Sequence, residues 1–135
     1  MLKHQDVRAT IEAYVAGWKS GDREAWGSLF ADDAVLVDPV GKPPFAGKEA
    51  VLAFFDGVQK MPLRFVPKVH RIAVCGSEAL LLFRMEATGP DGNGMYVEVA
   101  DIFALNDAGK IVSLKAYWDK ACQGTIKNGE LVAPA

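Results

Sequence analysis

The strongest constraint on the fold of this chain is a change of hydrophobic period near Leu63. Before that residue, apolar side chains recur every three or four positions, which is typical of helices that bury one face. After it, apolar and polar residues alternate, which is typical of strands that bury one side. Helices that precede a run of strands indicate an α+β fold, in which helices cover one face of a curved sheet. The 135 residues suit one such domain.

Three helices are expected in the first half of the chain. The first has an apolar face, and Gly21 supplies the left-handed residue that ends such a helix. Asp22 can cap a short second helix carrying Trp26, Leu29 and Phe30. The third runs from about Lys48 to Lys60 and ends before Pro62. The apolar faces of the first and third helices consist of Val7, Ile11, Tyr14, Val15 and Trp18, and of Val51, Leu52, Phe54, Phe55 and Val58.

Strands account for the rest of the predicted domain. A short one from Ala34 to Asp38 is stopped by Pro39, and residues 41–47 form a loop. Four more follow, at roughly 63–75, 79–88, 95–106 and 111–118, and short turns between them indicate neighbouring antiparallel strands. The chain after Asp119 reads as a looser tail. We therefore predict a single domain over residues 1–135, with residues 120–135 loosely ordered.

Composition excludes several classes of function. Lys and Arg number 15 against 17 Asp and Glu, so the net charge of −2 disfavours a nucleic-acid partner. No apolar run approaches the roughly 20 residues of a membrane helix, and the first residues lack the apolar stretch of a signal peptide. A cytoplasmic protein is the expectation. Cys75 and Cys122 form no CxxC motif, and with only His4 and His70 no metal-ligand spacing exists, so we predict free thiols and no metal.

One carboxylate interrupts the predicted strand at 95–106. Alternation places Asp101 on the same face as apolar residues, namely Met95, Val97, Val99, Phe103 and Leu105. A carboxylate there must pair with a cation or lose its charge, because desolvation raises its pKa, and a neutral carboxylic acid donates a hydrogen bond. Two other interpretations stay open: a structural aspartate bonded to a core group, or a strand with its faces reversed.

Two further polar residues are candidates for the same pocket as Asp101. Tyr14 lies on the apolar face of the first helix, so its hydroxyl needs a partner, although most tyrosines in such a place belong simply to the core. Asp38 precedes Pro39 at a strand end, where a turn-forming role is the usual one. A pocket between the first helix and the sheet would nevertheless bring the phenol and both carboxyls together. Such a group comprises one base and two donors.

Several segments resemble the bacterial ketosteroid isomerases of the NTF2-like superfamily. The resemblance runs over about residues 5–119 and is carried by Tyr14-Val15-Ala16, Leu29-Phe30-Ala31-Asp32-Asp33-Ala34, Asp38-Pro39-Val40-Gly41, Ala100-Asp101-Ile102-Phe103 and Gly109-Lys110-Ile111-Val112. It implies a cone-shaped fold of three N-terminal helices on a curved, mostly antiparallel sheet. It also implies that Asp38 is a general base and that Tyr14 and a protonated Asp101 form an oxyanion hole.

The activity implied by this resemblance is conversion of a 3-oxo-Δ5-steroid to its conjugated Δ4 isomer, without a cofactor and in a homodimer. Relatives often carry a tyrosine on the third helix where Phe55 stands, and Phe30 has no hydroxyl either, so an extended phenol network is not expected. Trp118 is the first candidate for stacking on the substrate rings, or else it closes the core. Further candidates for an apolar steroid site are Phe83, Met85, Val99, Phe54, Phe55, Val66, Leu114 and Ala116.

Two other classes of function remain open at this point. An NTF2-like (SnoaL-like) cyclase, dehydratase or hydrolase would share the fold and an acidic pocket residue. A noncatalytic member that binds a hydrophobic polycyclic ligand or a protein would tolerate loss of Asp38. Dehydration that depends on histidine is disfavoured, because His70 is the only histidine in the body of the domain.

Overall fold

Three α-helices form in the part of the chain that the computed structural model describes, residues 1–133. They are α1 (His4–Ser20), α2 (Arg23–Gly27) and α3 (Lys48–Gln59). Gly21 ends α1 with a φ of 71°, and the Asp22 side chain caps α2 by accepting the Ala25 N–H at 3.1 Å. The predicted helices and both end signals are therefore confirmed, with α2 shorter than expected.

The first strand begins earlier than the sequence indicates. It is β1 (Phe30–Val37), and α2 already ends at Gly27, so the prediction that the second helix carries Leu29 and Phe30 is wrong. The reason is a long-range contact: Phe30 pairs with Ile111, whose N–H donates to the Leu29 carbonyl at 2.8 Å. Asp38 lies just beyond the strand, before a cis peptide bond to Pro39. The expected loop at 41–47 includes a short strand, β2 (Phe45–Ala46), which pairs with β1.

The four strands predicted for the second half are present with similar bounds. They are β3 (Arg64–Cys75), β4 (Glu78–Thr88), β5 (Gly94–Leu105) and β6 (Ile111–Tyr117). Each pairs antiparallel with the next, and β6 also pairs in parallel with β1. The resulting order is β2-β1-β6-β5-β4-β3. The α+β fold class, with helices on a curved and mostly antiparallel sheet, is confirmed.

The chain after Asp119 is more regular than predicted. A 3₁₀ turn over Lys120–Cys122 leads into β7 (Gln123–Lys127) and β8 (Glu130–Val132). Strand β7 pairs with the first residues of β5, which extend beyond the end of β6 and therefore leave an edge open. The expectation of a looser tail is thus wrong for residues 120–132, because the local pattern does not reveal this distant edge. Pro134 and Ala135 lie outside the described residues.

The core lies between the helices and one face of the sheet. Its centre is an aromatic cluster in which Trp26 is fully buried and packs against Phe30 and Phe55, with ring centroids 4.5 and 4.6 Å apart. Aromatic packing of this kind adds to the stabilisation by apolar burial and fixes α2 and α3 against the sheet. None of the helices within residues 1–133 is long and apolar enough to cross a membrane.

Candidate active site

A cavity of about 300 Å³ lies between α1, α3 and the inner face of the sheet. Its walls are mostly apolar, but Tyr14, Asp38 and Asp101 all line it. Met61 and Met95, each about half exposed, mark its open end. An apolar hollow with a few convergent polar groups is the usual form of a small-molecule site.

Tyr14 projects from the buried face of α1. Its ring packs edge-on against Phe103 with centroids 4.9 Å apart, and the residue is 5% exposed. Burial is the main reason that the pKa of the Tyr14 hydroxyl lies well above its usual value, and the charges of Asp101 and Asp38 raise it further, whereas Trp18 lowers it. The hydroxyl therefore keeps its proton at neutral pH and can donate a hydrogen bond into the cavity.

Asp101 lies in the middle of β5 and is 2% exposed. Among residues 1–133 it is the only buried residue with an acidic or basic side chain. It shares its strand face with the fully buried Phe103, so the interpretation with reversed faces is wrong. Burial is the largest cause that raises the pKa of Asp101 well above its usual value, and the charge of Asp38 acts in the same direction, while Tyr14 opposes them. Burial therefore favours the neutral acid form of Asp101, in which the carboxyl can donate a hydrogen bond.

The raised pKa of Asp101 predicts that the stability of the fold depends on pH. The folded pKa of Asp101 is raised, so above about pH 4 the folded chain holds a proton that the unfolded chain releases. The free energy of unfolding therefore falls as pH rises towards the pKa that Asp101 has in the folded protein, by at most about 1.4 kcal/mol per pH unit. Asp101→Asn removes this contribution. In urea unfolding between pH 4 and pH 8, we expect the stability of Asp101→Asn relative to the parent protein to increase with pH.

The matched control is Asp33→Asn, at an exposed position in β1. This variant measures the effect of the same substitution away from the cavity over the same pH range. If the Asp101→Asn difference varies no more with pH than the Asp33→Asn difference, Asp101 does not carry a raised pKa in the folded protein.

Asp38 differs from Asp101 in its surroundings. It is only partly buried, and its carboxylate Oδ1 accepts a hydrogen bond from the indole Nε1–H of Trp118 at 2.6 Å. Desolvation raises the pKa of Asp38, and the Trp118 hydrogen bond, which favours the ionised form, lowers it. The pKa of Asp38 is therefore raised less strongly than that of Asp101, so of the two carboxyls Asp38 is the one more favoured to be ionised.

The hydrogen bond from Trp118 was not anticipated by the sequence. Asp38 and Trp118 are 80 positions apart in the chain. The parallel pairing of β1 with β6, in which Val37 pairs with Lys115, brings them together. Trp118 does line the cavity, as predicted, so the same side chain can contact a ligand and hold the carboxylate.

The predicted substrate-binding residues divide into two groups. Those that line the cavity are Phe54, Phe83, Met85, Val99 and Trp118. The other four predicted residues, Phe55, Val66, Leu114 and Ala116, do not line it. Phe55 stacks on Trp26 instead, and Val66 follows the cavity-lining Phe65 on β3 and so lies on the other face of that strand. Leu114 and Ala116 are buried in the core at 2% and 3% exposure.

Sequence reasoning missed nine lining residues. On the helical side these are Trp18, Val58 and Met61, and on the sheet Phe65, Ala87, Met95, Tyr96, Val97 and Gln123. The shared face of Asp101, Val97 and Met95 was already visible in the alternation of β5. Gln123 left no such signal, because it belongs to the tail that was not expected to form a strand.

Comparison with known proteins places this architecture in a family. The sequence pattern of the SnoaL-like domain matches residues 11–114, which is most of the chain. The chain belongs to the SnoaL-like family. One relative, from Nocardioides simplex, is named "Steroid Delta-isomerase". It is 30% identical to this chain over 114 residues, which cover 84% of this chain and 89% of the relative.

Solved structures agree with that assignment. The Δ5-3-ketosteroid isomerase from Mycobacterium sp. is 28% identical and superposes with a TM-score of 0.77 over 89% of this chain and 98% of its own. RV0760c from Mycobacterium tuberculosis, in complex with estradiol-17beta-hemisuccinate, is 25% identical, with a TM-score of 0.76 over 87% and 97%. The predicted resemblance to ketosteroid isomerases and the NTF2-like fold is therefore confirmed, and steroid isomerisation is an activity named among the relatives of this SnoaL-like protein.

Proposed function

We propose that this SnoaL-like protein is a cofactor-independent steroid Δ-isomerase. It converts a 3-oxo-Δ5-steroid to the conjugated 3-oxo-Δ4 isomer, with Asp38 as the base and with Tyr14 and Asp101 as hydrogen-bond donors. The observation that carries the proposal is that one apolar cavity holds two carboxyls in different surroundings. Asp101 is 2% exposed and burial raises its pKa well above the usual value, whereas Asp38 is only partly buried and its carboxylate accepts a hydrogen bond from Trp118.

The reaction needs only one proton to move. The C4–H bond lies between the carbonyl and the alkene, so its proton is acidic enough for a carboxylate to remove. Asp38 takes this proton, and the electron pair spreads over C4, C5, C6 and the C3 oxygen as a dienolate. Return of the same proton to C6 leaves the double bond conjugated with the carbonyl. Atoms and electrons balance with no oxidant or reductant.

Stabilisation of the dienolate oxygen is the main demand on the protein. Tyr14 and Asp101 both hold their protons in the apolar end of the cavity, where a hydrogen bond to a developing negative charge is stronger than in water. Donors that are already oriented need no rearrangement as the charge forms, and each is worth on the order of 10²- to 10³-fold in rate.

The outer face of the sheet supports a homodimer as the assembly of this enzyme. Apolar Leu82, Ala100 and Ile102 alternate there on β4 and β5 and are only partly exposed. Beside them Arg84 forms ion pairs with Glu86 at 2.9 Å and with Glu98 at 3.6 Å. Sedimentation velocity of the purified protein tests this assembly: a single species of twice the 14.6 kDa chain mass is expected.

The proposed reaction is tested directly by ultraviolet absorbance. Addition of the protein to a 3-oxo-Δ5-steroid should produce the absorbance of the conjugated enone at a rate proportional to protein concentration. Binding of the steroid without conversion would instead identify a noncatalytic binding protein of the same fold, and the isomerase proposal would be wrong.

A more specific expectation concerns Trp118. Trp118→Phe retains an aromatic wall but removes the hydrogen bond that favours the ionised form of Asp38. The pKa of Asp38 should therefore rise, and the acidic limb of the kcat/KM profile should move to higher pH. Activity should fall most at low pH and recover towards the parent value as pH increases.

The neighbouring variant Tyr117→Phe provides the control, because Tyr117 is 47% exposed and lies on the other face of β6. Its pH profile should match that of the parent. An unshifted acidic limb in Trp118→Phe would show that the indole does not control the ionisation of the base.

A further inference from the structure

We propose that Gln123 is a specificity-determining residue that hydrogen-bonds an oxygen substituent on the terminal ring of the substrate, at the end opposite to Tyr14 and Asp101. The inference rests on the proposed steroid isomerase function and assigns a role to the C-terminal hairpin formed by β7 and β8. No contribution from that hairpin was expected from the sequence.

The strand pairing directs Gln123 into the cavity. Gln123 is the first residue of β7 and pairs with Val97 of β5. Paired residues on neighbouring strands project from the same face of a sheet, and Val97 and Gln123 both line the cavity. Gln123 therefore extends the inner wall on the side that β6 does not reach.

The spacing along β5 fits a long, flat ligand. Asp101 and Val97 lie on the same face of β5, four residues apart, which corresponds to about 13 Å in an extended strand. That distance is comparable with the long axis of a fused four-ring skeleton. A substrate whose C3 oxygen meets Tyr14 and Asp101 thus presents its terminal ring near Gln123, before the cavity opens at Met95.

The Gln123 amide is available for such a contact. The neighbouring hydroxyl of Tyr96 already has a partner, since it donates to the Val132 carbonyl at 3.2 Å. The Gln123 side chain makes no hydrogen bond within the described residues, whereas the adjacent Ala121 and Cys122 both donate to Asp119. A carboxamide both donates and accepts, so it can bind either a ketone or a hydroxyl oxygen.

Tyr96 holds the hairpin in place. Its ring lies directly over Gly124, where a Cβ atom would overlap it, and its hydroxyl reaches β8 through Val132. Gln123 is thus attached to a packed strand rather than to a free tail. A side chain on a rigid element can select among ligands because its position does not adapt to each of them.

The test compares two planar phenolic steroids that differ only in an oxygen on the terminal five-membered ring. Their binding is measured by the fluorescence of the cavity tryptophans Trp18 and Trp118, without turnover. The parent should bind the oxygenated ligand about 3- to 10-fold more tightly, as expected for one net hydrogen bond. Gln123→Met, which keeps the length of the side chain, should abolish this preference and leave the affinity for the other ligand within about twofold.

Two further variants make the result specific. Gln5→Met carries the same change at an exposed position on α1 and should retain the preference of the parent. Gln123→Glu, which accepts but cannot donate when ionised, should keep the affinity for a ligand with a terminal hydroxyl and lose affinity for one with a terminal ketone. This pattern separates recognition from a general disturbance of the hairpin.

The outcomes are distinct for the two proposals. If the parent binds both phenolic steroids and isomerises a 3-oxo-Δ5-steroid but Gln123→Met keeps the full preference, the role of Gln123 is wrong and the isomerase function stands. If the parent binds neither ligand and converts no steroid, the proposed function itself is wrong and the inference fails with it.

Discussion

Asp38→Asn is expected to lower kcat for steroid isomerisation by about 10²- to 10⁴-fold, the range for loss of a general base. The amide cannot take the C4 proton, so the loss should appear at every pH. The fold should be unaffected, because Asp38 lies beyond the end of β1 and the amide oxygen can still accept the hydrogen bond from Trp118. Initial rates of enone formation, with thermal unfolding as a check of the fold, provide the measurement.

The same variant should bind an analogue of the intermediate at least as tightly as the parent does. In the intermediate complex Asp38 has accepted a proton and is neutral, as is the amide of Asn. A phenolic steroid, which resembles the dienolate, then meets no carboxylate charge at that position. Titration of this phenol against parent and variant decides the matter. Much weaker binding to Asp38→Asn, or near-normal turnover by it, would show that Asp38 is not the base.

Asp101→Leu is expected to lower kcat by about 10²- to 10³-fold, because it removes one of the two donors to the dienolate oxygen. Asp101→Asn should be milder, since its amide still donates a hydrogen bond from nearly the same position. The order of the two losses reports on hydrogen bonding and not on packing alone, because the apolar leucine suits the buried site on β5 better than a polar amide does.

The second donor supplies the control. Tyr14→Phe keeps the ring that packs on Phe103 but removes the hydroxyl, so it should weaken the binding of the phenolic steroid in the parent and in the Asp38→Asn background alike. Equal losses of activity in Asp101→Leu and Asp101→Asn would contradict a donor role for Asp101. An unchanged affinity in Tyr14→Phe would place the ligand oxygen elsewhere in the cavity.

The sequence was most informative where a local repeat decides which side of an element is buried. Period two identified Asp101 as a carboxyl on an apolar face of β5, and the helical period placed Tyr14 on the buried face of α1. Both results follow from the fixed geometry of strand and helix, in which spacing alone determines the direction of a side chain. The turns between β3, β4, β5 and β6 likewise predicted antiparallel neighbours, since short connections leave few other arrangements.

Only the tertiary structure decided which elements meet at long range. The pairing of β1 with β6 brings Trp118 to Asp38, and the open edge of β5 recruits β7 and places Gln123 in the cavity. The sequence also assigned Phe55 and Leu114 to the cavity, although both are buried in the core. The hydrophobic period of a helix or strand predicts that a side chain is buried but not which neighbour covers it. The neighbour depends on contacts between residues far apart in the chain.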